Sequence, residues 1–588
     1  MISIAERKDL IAAAQGYQPL DLLIRRVHLV NVYTGRVEPA ALGIRHGRIV
    51  SLDADGFAAR QIVDADGLYA MPGFIDTHIH VDSTLLVPEN LAQLIVPRGT
   101  TALFADPMEI ANVAGLAGME VLLASMARLP YHILIEVSSR VPTAPGLETV
   151  GGELDLQAVQ QVLDWEACVS LGELDPSKVL GLRDEYLAKV EAAHARNKIA
   201  NGHAAGLSGH ALAGYACGGL TDDHEAVDYA EALARLRLGL AVLVRDGSTE
   251  RNLEPILTGV LREGLDTRHL MFCTDDKHPN DIRDEGHIDY LVNRAIALGM
   301  PPVQAIQMAT LNAAVHFRVD HVLGSLSPGR WADIILASSL DEIRPSHVFF
   351  KGQLVAQDGR MVVPPAPAAY PDWIRHTVTV QRGTQAQDFR LTAPGASARV
   401  RVIELYADQI INQAGETMLP VVAGNVVADP AQDVLKLAVV ERYGKNGNIG
   451  LAFVRGFGLR RGALASSVAH DHHNIIVAGV DEADMAACVR AIAEMQGGLA
   501  IAAGGQVLGR LPLPIGGLLS KAPVEEVIAS LEALTAIAHD LGCTLPAPFM
   551  TISFISLPTV PELGLTDHGL VSVREHALIS TFVEHAAK

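Results

Sequence analysis

Eight short apolar segments follow one another between residues 71 and 320, and helical patterns lie between several of them. Each segment has the length of a buried strand and runs into a polar residue, as in TTALFADP, ACVSLGEL and LAVLVRDGS. Strands that alternate with helices form parallel sheets, because a helix makes each return crossing. Eight such units within about 250 residues predict a (β/α)8 barrel, a TIM-like α/β fold.

The regions on either side of this repeat have a different pattern. Residues 1–70 and 321–375 contain short alternating segments such as DLLIRRVHLVNV and HVFFKGQLVAQDG, separated by turn residues. They predict one discontinuous small β-sandwich domain. A proline-rich linker, VVPPAPAAYPDW, precedes a mixture of strand and helix patterns. Residues 376–588 are therefore expected to form an additional C-terminal α/β domain.

Composition excludes several classes of protein. With 49% hydrophobic and 19% charged residues, the chain is globular rather than disordered. Its net charge of −21 would repel phosphate backbones, so we expect no nucleic-acid partner. No apolar run approaches the roughly 20 residues of a membrane span, and the N-terminus lacks a secretory pattern. We therefore expect no membrane partner. The 5 cysteines contain no Cys-x-x-Cys pair, which favours a reducing, cytoplasmic location.

Potential ligands and acids stand at the ends of the predicted barrel strands. The carboxyl ends of barrel strands form the mouth in which active sites lie, so we expect these side chains to converge. In strand order they are His78 and His80, Asp106, Glu173, His203, His224, Asp246, and finally Asp275 with Asp276.

The pair His78 and His80 is the strongest indication of a metal site. Side chains two apart on a strand point the same way, so both imidazoles can reach one metal. Glu173 can bridge two metals, although DPSK after it also allows a helix-capping role. A lone histidine is more often structural, but His203 and His224 follow successive strands beside the first pair.

Asp275 completes the predicted set, with Asp276 as an alternative because the strand register is not fixed by the sequence. Four imidazoles and two carboxylates suit zinc, iron or manganese and argue against calcium and magnesium. Six ligands exceed the need of one catalytic metal, so two metals bridged by hydroxide are expected. Asp275 would take the proton of that water and pass it to the leaving group.

FIDTHIH together with the later Glu, His and Asp positions resembles the amidohydrolase superfamily. Longer segments resemble the adenine deaminase family. Among them are GFIDTHIHVDSTLLVPENLAQL, FCTDDKHPNDIRDEGHIDYLV and KNGNIGLAFVRGFGLRRGALASSVAHDHHN. The similarity covers nearly the whole chain, and the C-terminal segment is the most specific. The resemblance implies two divalent metals, manganese or iron with zinc as an alternative, and hydrolysis of adenine to hypoxanthine and ammonia. It also implies a small purine substrate and a homo-oligomer. The ligands it implies are His78, His80, Glu173, His203, His224 and Asp275.

Four positions depart from the family pattern: Asp82, Met108, Arg140 and Asp246 stand where Glu, His, Cys and Glu are usual. All lie near predicted strand ends, so Asp82, Arg140 and Asp246 are candidate substrate contacts. The departures leave open another amino- or amide-bearing heterocycle, such as a modified purine, a cyclic amide or an N-acyl compound. Drift compensated by neighbouring residues is the other interpretation.

Two further features stay open. Glu109 is a candidate substrate contact, proton shuttle or added ligand, or a helix N-terminal acid. The segment His470–Asn474 either completes the active site, holds another metal, or forms a hydrogen-bonded interdomain turn. A metal- or purine-binding protein without activity is the remaining alternative, but it predicts a lost ligand, and all six positions are filled.

Overall fold

A closed parallel barrel lies at the centre of the molecule. The computed structural model describes residues 2–406, 412–559 and 562–583. Its eight barrel strands coincide with the eight segments predicted from the sequence, which confirms the barrel. In chain order these strands are Phe74–Ile79, Thr100–Ala105, His132–Val137, Cys168–Leu174, Ile199–Gly202, Asp222–Asp223, Ala241–Arg245 and Leu270–Cys273.

Backbone hydrogen bonds close the barrel. The first five strands are consecutive parallel neighbours, and so are the last three. Thr221 N donates to Ala200 O at 2.9 Å and joins the fifth strand to the sixth. A parallel bridge between Ile79 and Asp275 joins the first strand to the eighth. All eight carboxyl ends therefore surround one mouth.

Helices surround the barrel and are capped by local sequence signals. Asp155 and Asp228 accept hydrogen bonds from first-turn amides of the helices that follow them, as expected for N-cap residues. The helices of the barrel region are Pro88–Ile95, Met108–Met126, Leu156–Leu163, Pro176–Leu180, Asp184–Ala195, Gly209–Cys217, Tyr229–Arg237, Leu253–Glu263, Pro279–Asp284, Ile288–Ala297, Pro302–Met308 and Leu311–His316.

Among the described residues, one helix, Met108–Met126, has the length and apolar composition of a membrane span. It follows the second barrel strand, contains a non-helical Gly115, and buries 56% of its most apolar window inside the protein. Core helices of globular proteins have the same properties.

The segments before and after the barrel lie in one nine-stranded sheet. Tyr69–Pro72 pairs antiparallel with Ile334–Ala337 and connects the two segments. The domain limits themselves stay predictions, and the outermost limits, 1 and 588, lie outside the described residues. Besides the helix Ile4–Ala14, this part comprises the strands Leu20–Asn31, Arg36–Arg45, Arg48–Ser51, Ala59–Asp64, Tyr69–Pro72, Ile334–Ala337, Pro345–Phe350, Gln353–Gln357 and Arg360–Met361.

The C-terminal region contains a second nine-stranded sheet and a small three-stranded one. The larger sheet comprises Ser397–Leu405, Asn412–Val422, Asn425–Val426, Val434–Val440, Ile449–Arg455, Ala463–Ser466, Ile475–Gly479, Gly498–Ala503 and Gln506–Pro512. The smaller sheet comprises Leu563–Thr566, Gly569–Ser572 and Ala577–Leu578, and the helices are Glu482–Met495, Val524–Asp540 and Pro548–Phe554.

This region packs against the barrel mouth. Ser520 N donates to Leu85 O at 2.8 Å, and Val87 N donates to Ser520 O at 3.1 Å. Leu86 and Ile110 of the barrel share a buried core with Leu519. The C-terminal region is thus fixed above the strand ends, where its loops can reach the site.

Candidate metal centre

The six predicted ligands are all buried and lie close together. Asp275 Oδ1 lies 3.5 Å from His78 Nε2 and 3.4 Å from His80 Nε2. The backbone explains this arrangement, because Asp275 N donates to His78 O at 3.0 Å and aligns the eighth strand with the first. Asp275 has φ of 55°, a left-handed conformation that is uncommon outside glycine and is often found at functional sites.

Glu173 brings the other two imidazoles into the same cluster. Its Oε2 lies 2.9 Å from His203 Nδ1 and 3.2 Å from His224 Nε2. Its Oε1 lies 4.0 Å from His80 Nε2. The carboxylate therefore stands between the His78–His80 pair and the His203–His224 pair, as a bridging ligand must.

The neighbouring Asp276 has a different environment. Its Oδ1 accepts a hydrogen bond from Ser83 Oγ, although Asp276 also lines the cavity of the cluster. Asp275, rather than Asp276, has its carboxylate beside the imidazoles.

Carboxylates stand behind both imidazoles of the first strand. His78 Nδ1 lies 2.6 Å from Glu136 Oε2, and His80 Nδ1 lies 2.9 Å from Glu109 Oε1. A carboxylate at Nδ1 holds a proton there and leaves the Nε2 lone pair for a metal. Glu109 thus supports a candidate ligand, and the sequence did not single out Glu136.

The donor atoms of the cluster fit divalent metal ions. His78 Nε2 and His224 Nε2 are buried and have no hydrogen-bond partner among the described residues. Burial alone would raise the pKa of Asp275. The charges of Arg245 and the nearby imidazoles outweigh burial and lower this pKa to about 2. Against the same burial, Arg140 and His203 hold the pKa of Glu173 well below its usual range. Ionised carboxylates and orphaned imidazole nitrogens form a mixed N/O donor set.

Two buried arginines contact these carboxylates. Arg140 Nη2 donates to Glu173 Oε1, and Arg245 Nη1 donates both to Asp275 Oδ2 and, at 2.9 Å, to Glu225 Oε1. Neither Arg245 nor Glu225 was singled out from the sequence. The available signal was the alternation of strand side chains between two faces. Arg245 is the last residue of its strand, so its side chain and that of Asp246 point in different directions.

The other predicted substrate residues lie outside this cluster. Asp246, which follows Arg245, lies among the charges of Lys277 and Arg251, and burial raises its pKa to about 6. Asp82 lies against Glu109, and burial with the Glu109 charge raises the pKa of Asp82 well above its usual range. Of the predicted substrate contacts, Arg140 lines the cavity.

The C-terminal region provides the opposite wall of the cavity. His470, Asp471, Phe554 and Leu557 line it together with five of the six candidate ligands and Met108. Asp471 Oδ2 accepts a hydrogen bond from Thr143 Oγ1 at 2.6 Å. The same oxygen lies 3.3 Å from Arg140 Nη1.

The rest of the segment His470–Asn474 lies behind this wall. Asn474 Nδ2 donates to Thr149 O at 2.8 Å, which ties the segment to a barrel loop. His473 approaches Glu109 and His470 closely enough to suggest another metal group. However, Ala469 N donates to His473 Nδ1, so the neutral ring carries its proton on Nε2 and offers no lone pair there.

Comparisons with known proteins identify the family of this chain. The family model described as "Amidohydrolase family" matches residues 69–355, and the one described as "Adenine deaminase C-terminal domain" matches residues 409–577. The adenine deaminase of Desulforamulus reducens is 53% identical over 582 residues, covering 99% of each chain. That of Moorella thermoacetica is 39% identical over 579 residues, covering 97% of each chain.

A crystal structure described as an adenine deaminase is 15% identical and covers 57% of this chain and 100% of its own, with a TM-score of 0.43. That score is too low to support an argument. The full-length sequence relatives, together with the two matched regions, are decisive, and the chain belongs to the adenine deaminase family of amidohydrolases.

Proposed function

We propose that this protein hydrolyses adenine to hypoxanthine and ammonia. The observation that carries the proposal is the convergence of six buried metal-type ligands in a chain with full-length adenine deaminase relatives. In the overall reaction, water adds to C6 of the purine and the C6–N6 bond breaks. One proton of the water leaves with N6 as ammonia, and the other ends on N1 of hypoxanthine.

The family is metal-dependent, and the donor set suits two divalent ions. His78, His80, Glu173, His203, His224 and Asp275 would hold them. Manganese, iron and zinc all accept this mixed N/O donor set, and the family resemblance favours manganese or iron. Once bound, such ions supply Lewis-acid chemistry that makes water a nucleophile at neutral pH.

Asp275 is the proposed general base. The Arg245 guanidinium keeps its carboxylate ionised and oriented at the end of the eighth strand. An ionised carboxylate can accept a proton from the attacking water and return it to N6 as the amine departs. Its carboxylate lies beside His78 and His80, so the proton transfer would take place next to the ions that these residues would hold.

Glu173 and Arg140 have a proposed supporting role. Glu173 holds the two halves of the ligand cluster together, and Arg140 keeps it ionised. Residues of the C-terminal region line the mouth together with the ligands, so the purine would react in a cleft formed by both regions.

An ammonia-release assay tests the proposal. Manganese-loaded protein is offered adenine, other aminopurines and cyclic ureides at equal concentrations. We expect adenine to give the highest kcat/KM. If adenine gave no ammonia while another heterocycle was hydrolysed, adenine would be rejected as the substrate. The same type of reaction would then be assigned to that heterocycle.

We also propose that the enzyme works in the reducing cytoplasm as a homo-oligomer. All five cysteines are free thiols, which supports a reducing location. Large enzymes commonly assemble symmetrically. Light scattering of the purified protein tests the oligomeric state.

A further inference from the structure

The cavity has two chemically different walls. The barrel wall carries the candidate ligands, and the carbon that loses its amino group would lie against them. The wall opposite is formed by His470, Phe554 and Leu557 of the C-terminal region, with Asp471 at its edge. Because a purine is a flat bicycle, a ring with C6 towards the barrel wall would present the opposite edge, with N3 and N9, to the C-terminal wall.

His470 is held firmly in this wall. Its backbone N donates to Ser553 O at 2.9 Å, and its carbonyl oxygen accepts from Ser556 Oγ at 2.8 Å. Its ring stacks on Phe554 with centroids 4.9 Å apart and planes 17° from parallel. The ring orientation is therefore set before any ligand enters.

The Nε2 atom of this ring lacks a partner. His470 is only 4% exposed, and Nε2 has no hydrogen bond among the described residues. An unpaired buried polar atom is unfavourable, and a ligand that enters the cavity beside the His470 ring can supply the missing partner.

The surroundings of His470 determine what Nε2 can bind. Its Nδ1 lies 3.8 Å from Glu109 Oε1, which is too far for a hydrogen bond, but the negative oxygen on that side favours the tautomer with its proton on Nδ1. Nε2 then carries the lone pair and accepts a hydrogen bond. On the imidazole edge of adenine, the matching donor is the ring N–H.

We propose that His470 Nε2 accepts the N9–H hydrogen bond of the purine and so selects free bases over N9-substituted ones. This inference rests on the proposed function. A substituent on N9 removes the donor and brings its first atom against the His470 ring. The C-terminal region would thus set specificity, while the barrel carries the chemistry.

Two isosteres separate the nitrogens of His470. His470→Gln places an amide near the Nε2 position, whereas His470→Asn keeps a polar group near Nδ1 and removes the one at Nε2. His376→Asn, at a histidine whose side chain is 63% exposed in the same region, is the control. For each protein, kcat/KM is measured with adenine and with 9-methyladenine, and metal content is measured in parallel.

The wild type and His376→Asn should strongly prefer adenine. His470→Asn should lower the adenine/9-methyladenine ratio of kcat/KM by roughly tenfold or more, with metal content unchanged, and His470→Gln should retain much of the ratio. A structural defect would lower kcat/KM for both substrates equally and leave their ratio unchanged. An unchanged ratio in His470→Asn would therefore overturn the proposal.

Binding measurements separate this proposal from the proposed function. Calorimetric titration of wild type and His470→Asn with hypoxanthine and 9-methylhypoxanthine needs no turnover. If the wild type releases no ammonia from adenine, the proposed function fails. If hypoxanthine then still binds more tightly than its 9-methyl form in wild type but not in His470→Asn, the His470 contact stands. Equal affinities for both ligands in the wild type would reject it.

Discussion

Three candidate ligands at the barrel mouth are each held by a further ionisable side chain. Arg245 contacts Asp275, Arg140 contacts Glu173, and Glu136 lies behind His78. These partners set protonation and orientation, because an imidazole binds a metal only through the nitrogen that lacks a proton. The chemistry therefore depends on residues one contact away from the donor atoms as well as on the donors.

Replacing Asp275 with Asn should nearly abolish deamination. The amide cannot accept a proton, so kcat should fall by about 10²–10⁴-fold. Asp276→Asn is the comparison, because the Asp276 carboxylate also lines the cavity but accepts a hydrogen bond from Ser83 and forms no close pair with the imidazoles. Steady-state kinetics with adenine measure both variants, and an equal loss in the two would reject the assignment of the base to Asp275.

Glu136→Leu should weaken metal binding. The carboxylate at His78 Nδ1 fixes the tautomer of the ring, and losing such a partner typically costs about 10–100-fold in metal affinity or activity. Chelator competition measures the affinity, and a saturating metal concentration should restore part of the activity. Unchanged metal affinity would show that Glu136 does not position His78.

Glu148→Gln should stabilise the protein at alkaline pH. Burial raises the pKa of Glu148 from 4.5 to about 7, so the native state holds this proton more tightly than the unfolded chain. The resulting stability is fully present below about pH 4.5 and is lost as pH rises through 7.

Gln keeps the acceptor for Ala144 N and cannot ionise. Thermal unfolding should therefore show a gain over the wild type at pH 8.5, of at most about 3 kcal/mol, and little difference at pH 4.5. A gain of the same size at both pH values would contradict the titration of Glu148.

At the scale of the elements, strand order and strand ends were predictable. Short apolar segments with terminal polar residues predict barrel strands whose ends share one mouth. The direction of a side chain at a strand end was harder to predict. Neighbouring side chains point to opposite faces, so an error of one residue in the strand end reverses the predicted direction. Arg245 is the last strand residue and reaches the site, whereas Asp246, which the sequence favoured, lies among Lys277 and Arg251.

Gly202→Ala should destabilise the barrel next to a candidate ligand. A Cβ at Gly202 would stand 2.1 Å from the backbone oxygen of Asp222, so the fifth and sixth strands must separate and carry His203 with them. We expect a loss of about 1–3 kcal/mol in urea unfolding, together with weaker metal binding.

Gly214→Ala is the matched control. Gly214 is exposed on a helix, and its added Cβ meets only a flexible leucine atom at 3.3 Å. Alanine at this position should be neutral or stabilising. If both variants had the same stability, the close approach at Gly202 would not limit the barrel.

At the scale of the whole molecule, the site is formed by two distant parts of the chain. Thr143 and Asp471, hydrogen-bonded at the cavity edge, are separated by 328 positions in sequence. Periodicity reports local structure and carries no information about such pairs, so the sequence left the role of His470–Asn474 open. Packing of the C-terminal region on the mouth, through Leu86 and Leu519 among others, brings these residues to the barrel.

The six candidate ligands are proposed to hold metal ions that are required for the hydrolysis of adenine. Metal titration of chelator-treated protein tests this most directly. Ammonia release from adenine is followed while manganese is added to the intact, metal-free chain. Activity should be absent at the start, rise linearly, and reach its plateau at two equivalents per chain. Full activity before any metal is added would contradict the proposed centre. So would full activation by metal that does not bind at these six residues.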